Sequence, residues 1–246
     1  MIGVGLALRQ RGLFSPKSLF AKGETGAWND PADLASMFQD SGGSIAAAVG
    51  SPVGRINDKS GRGNHALQAV VAARPTLRAD SGDRLYLEFD GVDDCLRAAF
   101  AIAQPWDRVS AIRQLSWTIN ERIFSGAAFN TGNLMQATGS VPELAVLSGG
   151  AQVVTNGLAV GANGVVTERH HGAASRVVVN AGAYMAGDAG TLAADSITIG
   201  EIGSGSGLVR ASNMRLYGMC MVGRALSDVE TQMLRRFMAG RAGIQL

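Results

Sequence analysis

The sequence predicts an all-β chain folded as an antiparallel sandwich or barrel, and three observations carry that reading. Short runs of alternating or β-branched residues recur along it, clusters of Gly, Asn, Asp and Ser separate them, and helical periodicity is nearly absent. The 246 residues suit one large domain, or one domain with an arm. At 46% apolar residues the chain is too hydrophobic for disorder, and its 33 glycines fit a turn-rich, packed body.

Leu85 to Phe89 is the clearest strand, with Leu85, Leu87 and Phe89 on one face and Tyr86 and Glu88 on the other. Further strands are expected at Val53 to Ile56, Val109 to Ile112, Ser116 to Phe124, Leu144 to Leu147 and Val153 to Thr155. Val165 to Glu168, Arg176 to Val179, Ser196 to Ile199 and Met214 to Val222 complete the set. No repeat of fixed period runs through them. Asn29-Asp30-Pro31 before Ala32 to Phe38 reads as a capped short helix or turn. The polar loop Asp58 to His65 carries glycines where a positive φ is cheap, and its own side chains are expected to order it.

Residues 1 to 26 read as an N-terminal arm and 27 to 246 as the sandwich domain, closed by a helix over 227 to 240. The arm's Leu13, Phe14, Leu19 and Phe20 would expose apolar surface unless they lie on their own domain or on a neighbour, so they are the expected assembly residues. Ser227-Asp228-Val229-Glu230 is an S-x-x-E capping box that starts the helix. Val229, Met233 and Phe237, with Leu234, form the stripe expected to face the sandwich, and Gly240 or Gly243 can end the helix.

A net charge of +2, from 22 basic and 20 acidic residues, gives no reason to expect a nucleic-acid partner. No run approaches the roughly 20 apolar residues that span a bilayer. Met1 to Leu8 lacks a basic leader and is read as part of the mature chain. Cys95 and Cys220 match no metal-ligand spacing and are expected as two buried thiols in a reducing compartment.

Five segments resemble the concanavalin A-like, laminin-G-like jelly-roll domains found in virion proteins of tailed bacteriophages. They are Gly26 to Leu34, Asp58 to Ala66, Ala73 to Leu77, Leu87 to Asp94 and Gly223 to Glu230, so the resemblance spans roughly residues 24 to 245. It implies an all-β, antiparallel β-sandwich jelly roll with an N-terminal arm and a short C-terminal helix. It names no function, because that scaffold serves lectins, hydrolases, adhesion modules and capsid parts. Gly126 to Gly164, rich in Gly, Ala, Ser and Asn, departs from the family pattern.

Glu88 and Asp90 are the sharpest hydrolytic pair, since alternate residues of one strand share a face, but a strand-end turn ordered by Asp90 explains the same residues. Asp90, Asp93 and Asp94 gather oxygens that suit calcium, although three carboxylates supply only part of its shell of six to eight. No other cofactor is implied. His170 and His171 point to opposite faces of a strand and cannot chelate together. Gly203-Ser204-Gly205-Ser206-Gly207 has the letters of a nucleophile elbow in the wrong context. Aromatics are only 6% of the chain, and Trp106 and Tyr184 are the rings most suited to stacking on a sugar.

The expected function is therefore a non-enzymatic phage virion subunit of a tail, fibre, baseplate or capsid surface. It would assemble in the bacterial cytoplasm with other virion proteins and with its own copies. A glycan-binding lectin meeting host-surface polysaccharide is the alternative, and a polysaccharide depolymerase acting through Glu88 comes third.

Overall fold

Leu87 and Phe89 alternate with Tyr86 and Glu88, and that period-two pattern sends the first pair into a sealed interior between two sheets. The computed structural model describes residues 14–201 and 210–246. Its strands are numbered β1 to β17 in chain order. One sheet holds β1 (Gly26–Asn29), β5 (Thr76–Ala79), β6 (Leu85–Asp90), β8 (Trp106–Gln114), β13 (Asn163–His170), β14 (Ser175–Val179), β15 (Met185–Gly187) and β17 (Asn213–Val222). Its order is β15-β14-β13-β8-β17-β6-β5, with β1 paired to β17. The other holds β2 (Met37–Phe38), β3 (Arg55–Ile56), β4 (Ala66–Leu67), β7 (Leu96–Ala98), β9 (Arg122–Ser125), β10 (Asn133–Gln136), β11 (Leu144–Leu147), β12 (Val153–Thr155) and β16 (Ile197–Ile199). These run in the order β12-β11-β10-β9-β16-β7-β4-β3-β2. All strand-to-strand ladders between these elements are antiparallel, so the expected all-β sandwich is the observed architecture.

The main core lies between the sheets, where Ile56, Leu77, Leu87, Phe89, Leu96, Ile112, Phe124, Leu134, Val146 and Leu216 lose all contact with water. A second apolar layer covers the outer face of the eight-stranded sheet under helix α1 (Asp228–Ala242). Ser227 caps α1: its hydroxyl accepts from the Glu230 amide and the Glu230 carboxylate accepts from the Ser227 amide, while Gly243 closes the other end at φ 66°.

The face that α1 buries differs from the expected one. Leu234, Met238, Ala239 and Ala242 are buried, whereas Val229 is 69% exposed and Met233 37%. The stripe at 234, 238 and 242 has the same period of four, and Ala242 in it with Ala239 beside it allows the helix to lie close to the sheet.

Of the short helix or turn expected after Asp30, the turn is what forms: a 3-10 turn, Leu34–Ser36, runs into β2, and Asp30 accepts from the Ala32 amide while its other carboxylate oxygen is drawn to Arg241. Two other local expectations are corrected. The Ser116 to Phe124 strand begins at Arg122, because Asn120 adopts φ 69° and the chain turns there. Met1 to Leu8 and Leu13 lie outside the described residues. Phe14 packs edge-on to Phe237 with centroids 6.4 Å apart, and Leu19 and Phe20 are 2% exposed in the layer under α1, so from residue 14 the arm rests on its own chain.

The Asp58 to His65 loop is ordered by its own side chains as expected. Asp58 accepts from the Ser60 amide and hydroxyl and from the Asn64 and Trp28 amides, and His65 Nδ1 accepts from the Asp58 amide. Asn64 and Arg62 then donate to the carbonyls of Gly26 and Phe20, tying the N-terminal segment down.

Candidate functional site

Glu88 and Asp90 do share one face of β6. Glu88 accepts from Arg215 Nε at 3.0 Å and lies 3.4 Å from Arg78 Nε, the two arginines arriving on the flanking strands β17 and β5. Arg215 also sits over the Tyr86 ring, 4.6 Å from its centroid. Beyond Glu88 the strand ends in a turn that Asp90 organises, accepting from the Val92 amide at 2.8 Å. Gly91 takes φ 77° in that turn, and a Cβ there would stand 2.8 Å from the Asn213 Cβ. Asp94 folds back so that its Oδ2 accepts from the Asp90 amide at 3.0 Å.

The result is a recess of about 410 Å³ bordered by Thr76, Arg78, Glu88, Asp90, Asp94 and Asn213. One carboxylate oxygen from each of Asp90, Asp93 and Asp94 lies within 4.8 Å of the others, with Asp90 and Asp93 exposed and Asp94 buried. Burial, reinforced by the charges of Asp90 and Asp93, pushes the Asp94 carboxyl up to about 6, against the amide of Asp90, which pulls the other way. Asp94 thus holds or gives a proton near neutral pH beside an exposed carboxylate. A carboxyl raised in this way is placed to act as a proton donor.

The three carboxylates proposed for calcium do come together, but they supply only part of its shell. They come from one turn, Asp90 and Asp94 already accept backbone amides, and calcium needs six to eight oxygens.

The sugar-stacking candidates fare differently. Trp106 is fully buried, stacked on His170 with centroids 3.8 Å apart, and has no face open to a ligand. Tyr184 is 36% exposed and lines a separate recess beside α1. His171 is exposed while His170 is sealed, as opposite strand faces require. The Gly203 to Gly207 loop lies outside the described residues. Cys95 and Cys220 are buried free thiols, and burial raises both, Cys95 to about 12. Among the described residues no helix is long and apolar enough to cross a membrane.

A Ser148–His170–Glu168 line has the residue types of a hydrolase triad. Each member is 0% exposed, so no substrate reaches it, and the network joins the two sheets internally. Sequence reasoning missed Arg78, Arg215, Thr76 and Asn213 around the acidic recess. Only strand register places them beside Glu88 and Asp90, and register was not readable from runs of residues taken singly.

No protein-family model matches the chain and no curated protein sequence matches it. Solved structures do. The chain is similar to a GH54 α-L-arabinofuranosidase mutant soaked with 4-nitrophenyl α-L-arabinofuranoside, at 12% identity and a TM-score of 0.67, over 93% of this chain and 66% of that one. It is similar to an arabinofuranosidase complexed with arabinofuranosyl-α-1,2-xylobiose, at 10% identity and TM-score 0.62, over 93% and 65%. It is also similar to the Trypanosoma rangeli sialidase, at 14% identity and TM-score 0.57, over 89% of this chain and 33% of that chain. The chain therefore spans a third of the sialidase and just under two thirds of the arabinofuranosidases. At such identities the likeness establishes the fold. It also overturns the expected assignment as a non-enzymatic virion subunit, since the proteins that share this sandwich here are glycosidases and none of the three is a virion component.

Proposed function

We propose that this chain is a carbohydrate-engaging β-sandwich whose glycan sits in the acidic recess at the end of β6. The observation that carries the reading is Asp94, a buried acid raised to about 6 within 4.8 Å of the exposed Asp90 carboxylate in an open, polar recess. Sugar hydroxyls both donate and accept. The recess offers carboxylates that accept, Arg78 that donates, and Thr76 and Asn213 that do both. The glycosidase neighbours support the same chemistry by analogy of fold. Binding of neutral oligosaccharides, followed by calorimetry, is expected to weaken about tenfold in Asp90→Ala, with circular dichroism unchanged. Equal affinity in that variant moves the site elsewhere.

A hydrolytic reading is favoured by one feature, a raised Asp94 that can donate a proton with the exposed Asp90 beside it. One oxygen of each lies within 4.8 Å of the other, close enough for both to face one sugar. Release of 4-nitrophenolate from 4-nitrophenyl glycosides tests it. Turnover falling above pH 6 and lost in Asp94→Asn supports hydrolysis, and no release over water sinks it.

A further inference from the structure

Arg235 is a buried charged group that, among the described residues, has no carboxylate within 4 Å. It is 5% exposed, it donates from one guanidinium nitrogen to the Asn180 carbonyl, and its buried Nε has no hydrogen-bond partner. Five other arginines of the sandwich have carboxylate partners: Arg108 pairs with Glu168, Arg169 with Asp107, Arg215 with Glu88, Arg224 with Glu230 and Arg241 with Asp30, whereas Arg122, 2% exposed, shares the lack of one but does not line the cavity beside Arg235. The segments outside the described residues, 1–13 and 202–209, contain no Asp or Glu that could supply a carboxylate partner. An uncompensated buried cation is costly, and a ligand that brings negative charge removes that cost.

There is room for such a ligand. A cavity of about 360 Å³ adjoins Arg235, bordered by Tyr184, Gln232, Ala181, Gly182 and Leu246. Tyr184 contributes a half-open ring that carries the Arg176 guanidinium 4.4 Å from its centroid, so a second cation stands at the rim. The acid facing that rim is Asp228, 3.7 Å from Arg176 and 94% exposed, too solvated to neutralise it. Gln232 supplies an amide that donates and accepts, suited to hydroxyls.

We infer that the Tyr184–Gln232–Arg235 recess is a second binding site, one that takes the carboxylate of an acidic sugar residue. Arg235 holds the carboxylate, and Tyr184 and Gln232 meet the ring and its hydroxyls. The anionic half of this inference stands on Arg235 alone, while the sugar half rests on the reading of the chain as carbohydrate-engaging. The site lies beside α1, apart from the recess at the end of β6, and it distinguishes charged from neutral glycans.

The test is an NMR titration of the whole chain with D-galacturonate, D-galactose and acetate, following the Gly182 amide and arginine Nε signals. Galacturonate is expected to shift them saturably, with galactose and acetate at least about tenfold weaker. Tyr184→Ala and Gln232→Ala, both at the rim, are expected to weaken galacturonate several-fold while leaving the fold intact. Arg235→Gln is expected to abolish selectivity over galactose. Equal binding of galactose removes the anionic half, and equal binding of acetate removes the sugar half. If no signal here moves while neutral glycans bind and that binding is lost in Asp90→Ala, this inference fails and the function at β6 stands.

Discussion

Ser148, just past β11, and His170, at the end of β13, meet across the sandwich in a 2.7 Å hydrogen bond that no water reaches. The bond belongs to a chain whose directions can be assigned. Burial raises the Glu168 carboxyl, but the Arg108 charge and the bonds from Arg108 and His170 outweigh it and hold it below the usual range, so Glu168 is ionised and only accepts. His170 Nε2 must then donate to it, and because burial keeps the ring neutral, Nδ1 accepts from the Ser148 hydroxyl. The Ser148 oxygen in turn accepts from the Gly132 amide, and Arg108 donates to the Gly132 carbonyl. Each link is satisfied by the one before it.

Ser148→Ala breaks two links at once and leaves the Gly132 amide and His170 Nδ1 unpaired in the interior. A loss of about 2 kcal/mol is expected in urea unfolding. An unchanged midpoint indicates that a water fills the gap.

The neutral His170 also sets an acid limit. Its pKa is depressed in the folded chain, so below about 6.5 the unfolded state takes up a proton that the native state refuses. Stability contributed above that value is lost on acidification, and His170→Asn is expected to flatten this limb even though it destabilises overall.

Asp94 acts in the opposite sense. Its folded pKa of about 6 lies above the unfolded value of about 3.9, so its contribution is full below pH 4 and is lost as pH rises through 6. Asp94→Asn is expected to match the parent near pH 4 and to exceed it by about 1–2 kcal/mol at pH 8, after allowance for solvent screening. Parallel stability curves for the two proteins contradict this account.

Two backbone positions offer simpler checks. Ser227→Ala removes the cap of α1 and is expected to cost about 1 kcal/mol. Gly91→Ala forces a Cβ to within 2.8 Å of Asn213 at φ 77° and is expected to cost more than about 1 kcal/mol, with the damage local to the acidic recess. Thermal melts that superimpose on the parent remove either assignment.

The strands that were legible are those with a β-branched or aliphatic run, such as β11 and β12, whose bounds match the expected ones. β10 was not, because Asn133 and Gln136 read as loop residues; both are fully buried, and Gln136 is bonded to Gln114 and to the Ser116 carbonyl. β8 extends further than its apolar centre because Asp107 and Arg108, which look like a strand's end, are neutralised by Arg169 and Glu168 on the next strand. The face of α1 turns the other way because Arg235 sits on the buried side, its guanidinium donating to the Asn180 carbonyl. Of the acidic recess, the Asp90 turn was visible in the sequence, whereas the raised Asp94 depended on burial, which residue type does not encode. In each case a long-range partner decided what local propensity left open.

The pairing of β1 with the second half of β17 has one further consequence. Among these strands β1 finds its ladder only there, across nearly the whole sequence, and Glu24 and Asp30 are clasped by Arg224 and Arg241 from the same distal region. During synthesis the earliest strand must therefore wait, edge bare, until the last one emerges. Shortening the chain before β17 would leave β1 without its ladder and strip α1's layer from the sheet, so the first strand depends on the last for its place.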